Sequence, residues 1–159
     1  MKRLLIILIS CFFISESIGQ EIKKVKIDEL QKIIAETKTP MIVNFFATWC
    51  KPCIEELPYF LEEYAAHKKD SLRLLLVSMD FKDEFQTKVA GFVKKREITA
   101  PIFWLDETNA DIFCPKIDSS WGGAIPASFF INPKTGYRKF YEEQLTHEQL
   151  KKEIMAILK

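Results

Sequence analysis

The stretch MIVNFFATWCKPC, residues 41–53, decides the fold. Met41 to Phe46 is apolar except for Asn44, with the length and composition of a strand covered on both faces. It runs into Thr48-Trp49-Cys50-Lys51-Pro52-Cys53, after which Leu57, Phe60, Leu61 and Tyr64 recur as the buried stripe of a helix. Two cysteines at i and i+3 therefore fall where a strand hands over to a helix. In a first helical turn that spacing puts both sulfurs on one side, close enough to bond. The unpaired amides of a helix N-terminus gather partial positive charge, which stabilises a thiolate there. Cys50 is thus predicted to be the exposed nucleophile and Cys53, a turn further in, the thiol that resolves a mixed disulfide. Lys51 adds a screened charge, and Pro52 gives up no hydrogen bond in a first turn. Pro58, inside the same helix, is expected to kink it.

Two plainer readings of the pair are weak. A bridge across two residues closes too small a loop to contribute much as a staple. A zinc knuckle needs a second ligand pair, and the sequence has no other CxxC and no CxxH.

Towards the N-terminus, Val25 to Ile27 reads as a short strand, with Asp28 capping a helix marked by Leu30, Ile33 and Ile34 and stopped by Pro40. Towards the C-terminus, Leu72 to Val77 is the next buried strand. Phe85, Val89, Phe92 and Val93 form a helical stripe, with Asp83 near its start. Ile102 to Leu105 is a strand, and Asp111 to Ile117 a short helix or turn. Ser128 to Ile131 and Tyr137 to Tyr141 flank the turn signal Asn132-Pro133-Lys134-Thr135-Gly136 and make a hairpin. Thr146 and Gln149 form a capping box for a last helix with Leu150, Ile154, Ile157 and Leu158 on its apolar face. Strands alternating with helices, then a hairpin and a closing helix, describe an α/β sandwich with a mixed sheet.

The size fits one core. The chain has 159 residues, 48% of them hydrophobic and 28% charged, which is globular composition. Lys plus Arg (23) nearly equals Asp plus Glu (22), so a basic face for nucleic acid is not expected.

Residues 1–19 read as a secretory signal, leaving 20–159 as the domain. Lys2 and Arg3 precede an apolar run from Leu4 to Ile14, and Ser17-Ile18-Gly19 offers a cleavage site before Gln20. Two rival readings stand beside it: a lipobox at Leu8-Ile9-Ser10-Cys11 that lipidates Cys11, and a retained anchor. Export to the periplasm or cell envelope is the expectation. It leaves Cys50, Cys53 and Cys114 in a compartment that favours disulfides. Cys114 is either a buried, inert thiol or a site of intermolecular pairing. His67 and His147 read as surface helix residues.

The run NFFATWCKPCIEELP resembles the active-site region of the thioredoxin superfamily, nearest to the TlpA/ResA-like thiol–disulfide oxidoreductases. The run WGGAIPASFFINPKTG resembles that family's second signature, and together the two motifs extend the resemblance over roughly residues 25–158. It implies a thioredoxin-like three-layer sandwich, a central mixed sheet flanked by helices. It also implies Cys50 as nucleophile, Cys53 as resolving thiol and Pro126 as a cis-proline facing the cysteines. The trans form at Pro126 is the plain alternative. A cis bond there exposes the backbone of Ile125 for pairing with an extended substrate. Trp49 and Trp121 would flank that groove, although Trp121 reads equally as core. Thioredoxin's buried acid on the preceding strand is replaced here by Asn44. The ResA-like group has an acid where Glu56 stands, which implies a proton acceptor for Cys53; the alternative is a solvated glutamate like Glu55.

The resemblance implies an exported enzyme that needs no cofactor and acts on protein disulfides, supplied with electrons by a membrane or periplasmic thiol donor. Reduction of protein disulfides, as in cytochrome c maturation or envelope redox homeostasis, is the leading reading. An oxidase or isomerase running the same exchange in reverse is the alternative. A copper-binding assembly factor would need a histidine or methionine at motif spacing from the cysteines, and the sequence shows none. A peptide-binding module without turnover would not need both cysteines.

Overall fold

The structure, a computed structural model, describes residues 22–159; the signal reading of residues 1–19 and the possible lipidation of Cys11 lie outside the described residues. Six strands form one sheet: β1 (Lys23–Val25), β2 (Met41–Phe46), β3 (Arg73–Ser78), β4 (Ile102–Leu105), β5 (Ala127–Asn132) and β6 (Tyr137–Tyr141). Their spatial order is β1-β4-β3-β2-β5-β6. The first four run parallel to one another, β5 is antiparallel to β2, and β6 is antiparallel to β5. The sheet is mixed, as expected.

Five helices cover it: α1 (Ile27–Ala35), α2 (Lys51–Ala66), α3 (Ala90–Lys95), α4 (Ala110–Ile117) and α5 (His147–Ile157). A π-helical turn, Phe85–Val89, leads directly into α3. Side chains alternate along β2, so Ile42 and Phe46 enter one core with Leu57, Phe60, Val93, Leu150 and Ile154. Met41, Val43 and Phe45 enter the other, with Leu30, Phe113, Trp121 and Phe129. The three-layer α/β sandwich follows: α2, α3 and α5 on one face, α1 and α4 on the other. All six residues of β2 are buried, which is why that strand reads as a continuous apolar run rather than an alternating one.

Some boundaries differ from expectation. The first strand lies two residues earlier, because Val25 pairs with Leu105 and Ile27 already belongs to α1. Lys26 rather than Asp28 sits at the helix N-cap. Glu29 accepts the Lys26 N–H (3.0 Å) and Glu107 accepts the Ile27 N–H (2.9 Å), while Asp28 pairs with Lys116 at 2.6 Å. The α2 helix runs through Pro58 to Ala66, and the ambiguous 111–117 segment is helical, with Asn109 accepting the Asp111 N–H as its cap. The Thr146–Gln149 capping box is present at the start of α5.

Candidate active site at the N-terminus of α2

Cys50 is the N-cap of α2. Its backbone is extended, its sulfur accepts the Cys53 N–H at 3.3 Å, and its carbonyl accepts the Ile54 N–H at 3.1 Å. Lys51 and Pro52 occupy the first turn, where the proline's missing N–H leaves nothing unsatisfied. Lys51 is exposed and lies 3.8 Å from Glu55, so its charge is shared with a neighbour rather than directed at the sulfur. The two cysteines form a disulfide.

Facing the disulfide is the loop before β5, where the Ile125–Pro126 bond is cis. The Cys50 sulfur lies 3.7 Å from the Ile125 carbonyl oxygen. That proximity corrects one expectation: Cys50 is only 5% exposed, because the loop closes over it, although it remains more accessible than Cys53 at 1%.

Glu56 is fully buried, unlike the exposed Glu55. One carboxylate oxygen accepts from the Asn44 side-chain amide (2.9 Å) and the other from the Leu145 N–H (2.8 Å). Asn44 also donates to Ser128 at 3.1 Å, so β2, α2 and β5 meet in one buried polar group. Burial pushes the Glu56 carboxyl up to about 7, against the opposing pull of the Leu145 and Asn44 donors. Glu56 and Cys53 are three residues apart on one helix face.

Trp49 is 54% exposed and stacks on Phe81, itself 65% exposed, with ring centroids 5.8 Å apart. An aromatic platform therefore stands beside the disulfide. Trp121 does not share in it. Instead it packs beneath the loop against Phe45 (4.5 Å) and Phe140 (5.7 Å), 3% exposed, and its indole N–H donates to the Ala124 carbonyl at 2.9 Å. Of the two readings kept for Trp121, the groove wall gives way to core, because the second apolar cluster closes around its ring.

Asp80, two residues past the end of β3 and outside both motifs, is a further residue of the site. Its carboxylate is 3% exposed and accepts the Thr48 N–H, the Thr48 hydroxyl and the Ser78 hydroxyl (2.8 Å), which pins the residues just ahead of Cys50. The Trp104 indole N–H binds the Asp80 carbonyl at 2.7 Å. The available signal was a carboxylate just past the C-terminal end of a buried parallel strand, the edge at which α/β sheets gather their sites.

Cys114 is buried 3.8 Å from the position a Cβ would take on Gly123. Burial, helped by the negative charges of Glu142 and Asp111, pushes its thiol up to about 11, so it is an inert core thiol at neutral pH. Glu62, Glu63 and His147 bring three donor atoms within 4.8 Å of one another. They lie about three helical turns beyond Cys53. Glu63 is already engaged by His147 (2.8 Å), His67 (3.6 Å) and Lys151 (3.7 Å). Two of the three donor residues are hard carboxylates that do not select Cu(I), and the group is an ion-pair cluster joining α2 to α5. Both histidines lie partly exposed at helix ends, His67 at the C-cap of α2 and His147 at the start of α5, and both pair with Glu63.

The profile described as the AhpC/TSA family matches residues 16–138. The chain belongs to the AhpC/TSA family. Among its relatives, sporulation thiol-disulfide oxidoreductase A of Bacillus subtilis (strain 168) is 36% identical over 110 residues, 69% of this chain and 63% of that protein. Thiol-disulfide oxidoreductase ResA of Bacillus anthracis is 32% identical over 120 residues, 75% of this chain and 61% of that protein. The chain thus spans less than two thirds of the length of these relatives. Among solved structures, StoA from Bacillus subtilis superposes with a TM-score of 0.58 at 32% identity, covering 76% of this chain and 86% of that one. The thioredoxin-related protein from Neisseria meningitidis serogroup B gives 0.65 at 26% identity, covering 79% and 89%. This AhpC/TSA chain therefore has the thioredoxin-like fold, and the relatives named above are thiol-disulfide oxidoreductases by name.

Proposed function

We propose that this chain is an exported thiol–disulfide oxidoreductase that reduces disulfides in protein substrates. The observation that carries the reading is the Cys50–Cys53 disulfide at the start of α2, set against the cis Ile125–Pro126 bond and backed by the buried Glu56.

In the reduced protein the Cys50 thiolate attacks one sulfur of a substrate disulfide. The substrate S–S bond breaks, its other sulfur leaves as a thiolate that takes up a proton, and a mixed disulfide to Cys50 forms. Cys53 then gives its proton to Glu56 and attacks the Cys50 sulfur, releasing the second substrate thiolate and closing the Cys50–Cys53 bond. Two electrons have passed to the substrate. A membrane or periplasmic dithiol restores the pair by the same exchange. The extended substrate segment pairs with the Ile125 backbone, and Trp49 and Phe81 provide apolar contact beside the bond.

One electrostatic contribution, that of the Glu56 carboxylate, supports the reducing direction. A couple becomes a strong oxidant when its reduced form is stabilised. Here the Cys53 N–H and the helix terminus stabilise a Cys50 thiolate and pull towards oxidation, whereas Lys51 is paired with Glu55 and the Glu56 carboxylate stands one turn from Cys53. Ionised Glu56 disfavours a neighbouring thiolate, which favours the closed disulfide and lowers the potential.

The reading is tested by reacting reduced protein with a disulfide-bearing substrate. Cys50→Ser abolishes exchange, and Cys53→Ser accumulates a mixed disulfide through Cys50. A trapped species through Cys53 reverses the roles. The potential of the couple should lie nearer about −270 mV than about −120 mV; the latter value makes the protein an oxidase instead.

A further inference from the structure

The loop that faces the disulfide is held by a side chain from outside both sequence motifs. Glu142, the residue after β6, accepts the Gly122 N–H on one carboxylate oxygen (3.0 Å) and the Ala124 N–H on the other (2.7 Å). On its other side Ala124 is tied by the Trp121 indole, which donates to its carbonyl. Both backbone groups of the residue before Ile125 are therefore fixed, and Ile125 is the residue whose carbonyl sits 3.7 Å from the Cys50 sulfur. The glycines fit the same device. A Cβ on Gly122 would lie 3.3 Å from a Glu142 oxygen, so a bare backbone permits the close approach. Gly123 has φ +100°, a conformation that side-chain-bearing residues rarely adopt.

We propose that Glu142 is a positioning residue for the substrate groove: its carboxylate clamps residues 122–124 so that the Ile125 backbone is held ready to pair with an incoming chain beside Cys50. The clamp rests on the reading of Cys50–Cys53 as an exchange site. Its physical content is pre-organisation. A backbone already held in its bound geometry loses less freedom when substrate arrives, so the clamp acts on the binding of extended protein substrates and not on the chemistry at sulfur. The same short segment also supplies the Leu145 N–H to Glu56, so residues 142–145 hold both the groove and the buried acid.

The test compares the parent protein with E142A, E142Q and, as a neighbouring control, the exposed Glu143 in E143A. Amide hydrogen exchange at Gly122 and Ala124, followed by NMR on the oxidised protein, reads the clamp directly. In E142A both amides exchange at least about tenfold faster, as expected for lost hydrogen bonds to a charged acceptor. With insulin as the disulfide substrate, KM rises by about fivefold or more while kcat stays within about twofold, the pattern of lost binding rather than lost chemistry. Selectivity for insulin over a small aromatic disulfide, dithiobis(nitrobenzoate), falls by the same factor. E142Q keeps a single acceptor oxygen and lies between parent and E142A; it also carries the test if E142A does not fold. E143A matches the parent. Unchanged amide exchange in E142A and E142Q overturns the clamp, and so does faster exchange with an unchanged KM. A parallel fall in kcat, in the insulin rate and in the small-disulfide rate overturns the positioning role in favour of a general structural one. If the parent protein exchanges with neither disulfide, the proposed function fails, whereas the amide data still decide whether Glu142 holds the loop.

Discussion

Replacing Glu56 by Gln removes the buried group whose ionisation the fold opposes most clearly, and the effect can be worked from the structure. The ordinary carboxyl value of 4.5 rises to about 7 in the folded protein, chiefly through burial. At about 1.4 kcal/mol per tenfold change in proton affinity, the fold prefers the neutral acid by about 3 kcal/mol. The sign follows from proton counting. Below pH 4.5 both folded and unfolded chains hold the proton and the group contributes no pH dependence. Between pH 4.5 and 7 the unfolded chain has released it and the folded chain has not, so stability falls as pH rises; above 7 the curve levels. Gln cannot ionise, so the variant lacks this descent. Asn44 suits the change, because its side-chain carbonyl oxygen is buried without a partner among the described residues. Rotating the amide would let that oxygen accept from a Gln side chain, or from protonated Glu56. The assay is urea unfolding of the oxidised protein at intervals from pH 4 to 8, where the closed disulfide keeps Cys50 and Cys53 from titrating. The difference between variant and parent should move by about 3 kcal/mol in favour of Gln across that range. Using the difference cancels the fixed cost of the substitution and the contributions of other carboxylates. Parallel curves for the two proteins, or an NMR titration placing Glu56 near 4.5, would refute the argument.

Three further outcomes are expected. Asp80→Asn leaves one acceptor oxygen where two served Thr48 and Ser78; it should cost about 2 kcal/mol in urea unfolding and speed alkylation of reduced Cys50 as the preceding loop loosens. Gly123→Ala places a Cβ 3.3 Å from that of Ala110 at φ +100°, and should lower stability by about 1–2 kcal/mol or more; a variant with unchanged Tm would show that the loop adapts. Phe81→Ser should change stability by less than about 1 kcal/mol, since the ring is mostly exposed, yet raise KM for a protein disulfide relative to a small one; equal KM values would remove Phe81 from the docking surface.

The parts of the fold legible in the sequence were those where one local rule acts alone. Met41 to Phe46 declared itself because a central strand must be apolar on both faces, and the Thr146–Gln149 box because caps are local. The start of α1 departs from the local expectation because it is decided over distance: Glu107, 80 residues away, takes the Ile27 N–H. The same division runs through the site. Cys50, Cys53 and Pro126 stand in contiguous motifs. Asp80 and Glu142 reach the site from 32 and 18–20 residues away in sequence, through buried or half-buried carboxylates that no periodicity marks. Glu56 was recognisable by its position, but Asn44 and Leu145 as its partners required β2 and the start of α5 to be brought together.

The two outermost strands carry a consequence for how this molecule meets other chains. A sheet ends in unpaired backbone groups, and those groups recruit any extended chain, including another copy. At one border Lys23 and Lys24 occupy β1, their ammonium groups over the rings of Phe103 and Trp104. At the other, Arg138 and Lys139 occupy β6, over Phe129 and Tyr141. Each cation lies over an aromatic ring, and Lys24, Arg138 and Lys139 are also paired with the carboxylates of Asp106, Asp118 and Glu153. Long charged side chains crowding the backbone of an edge strand discourage self-association through the rims.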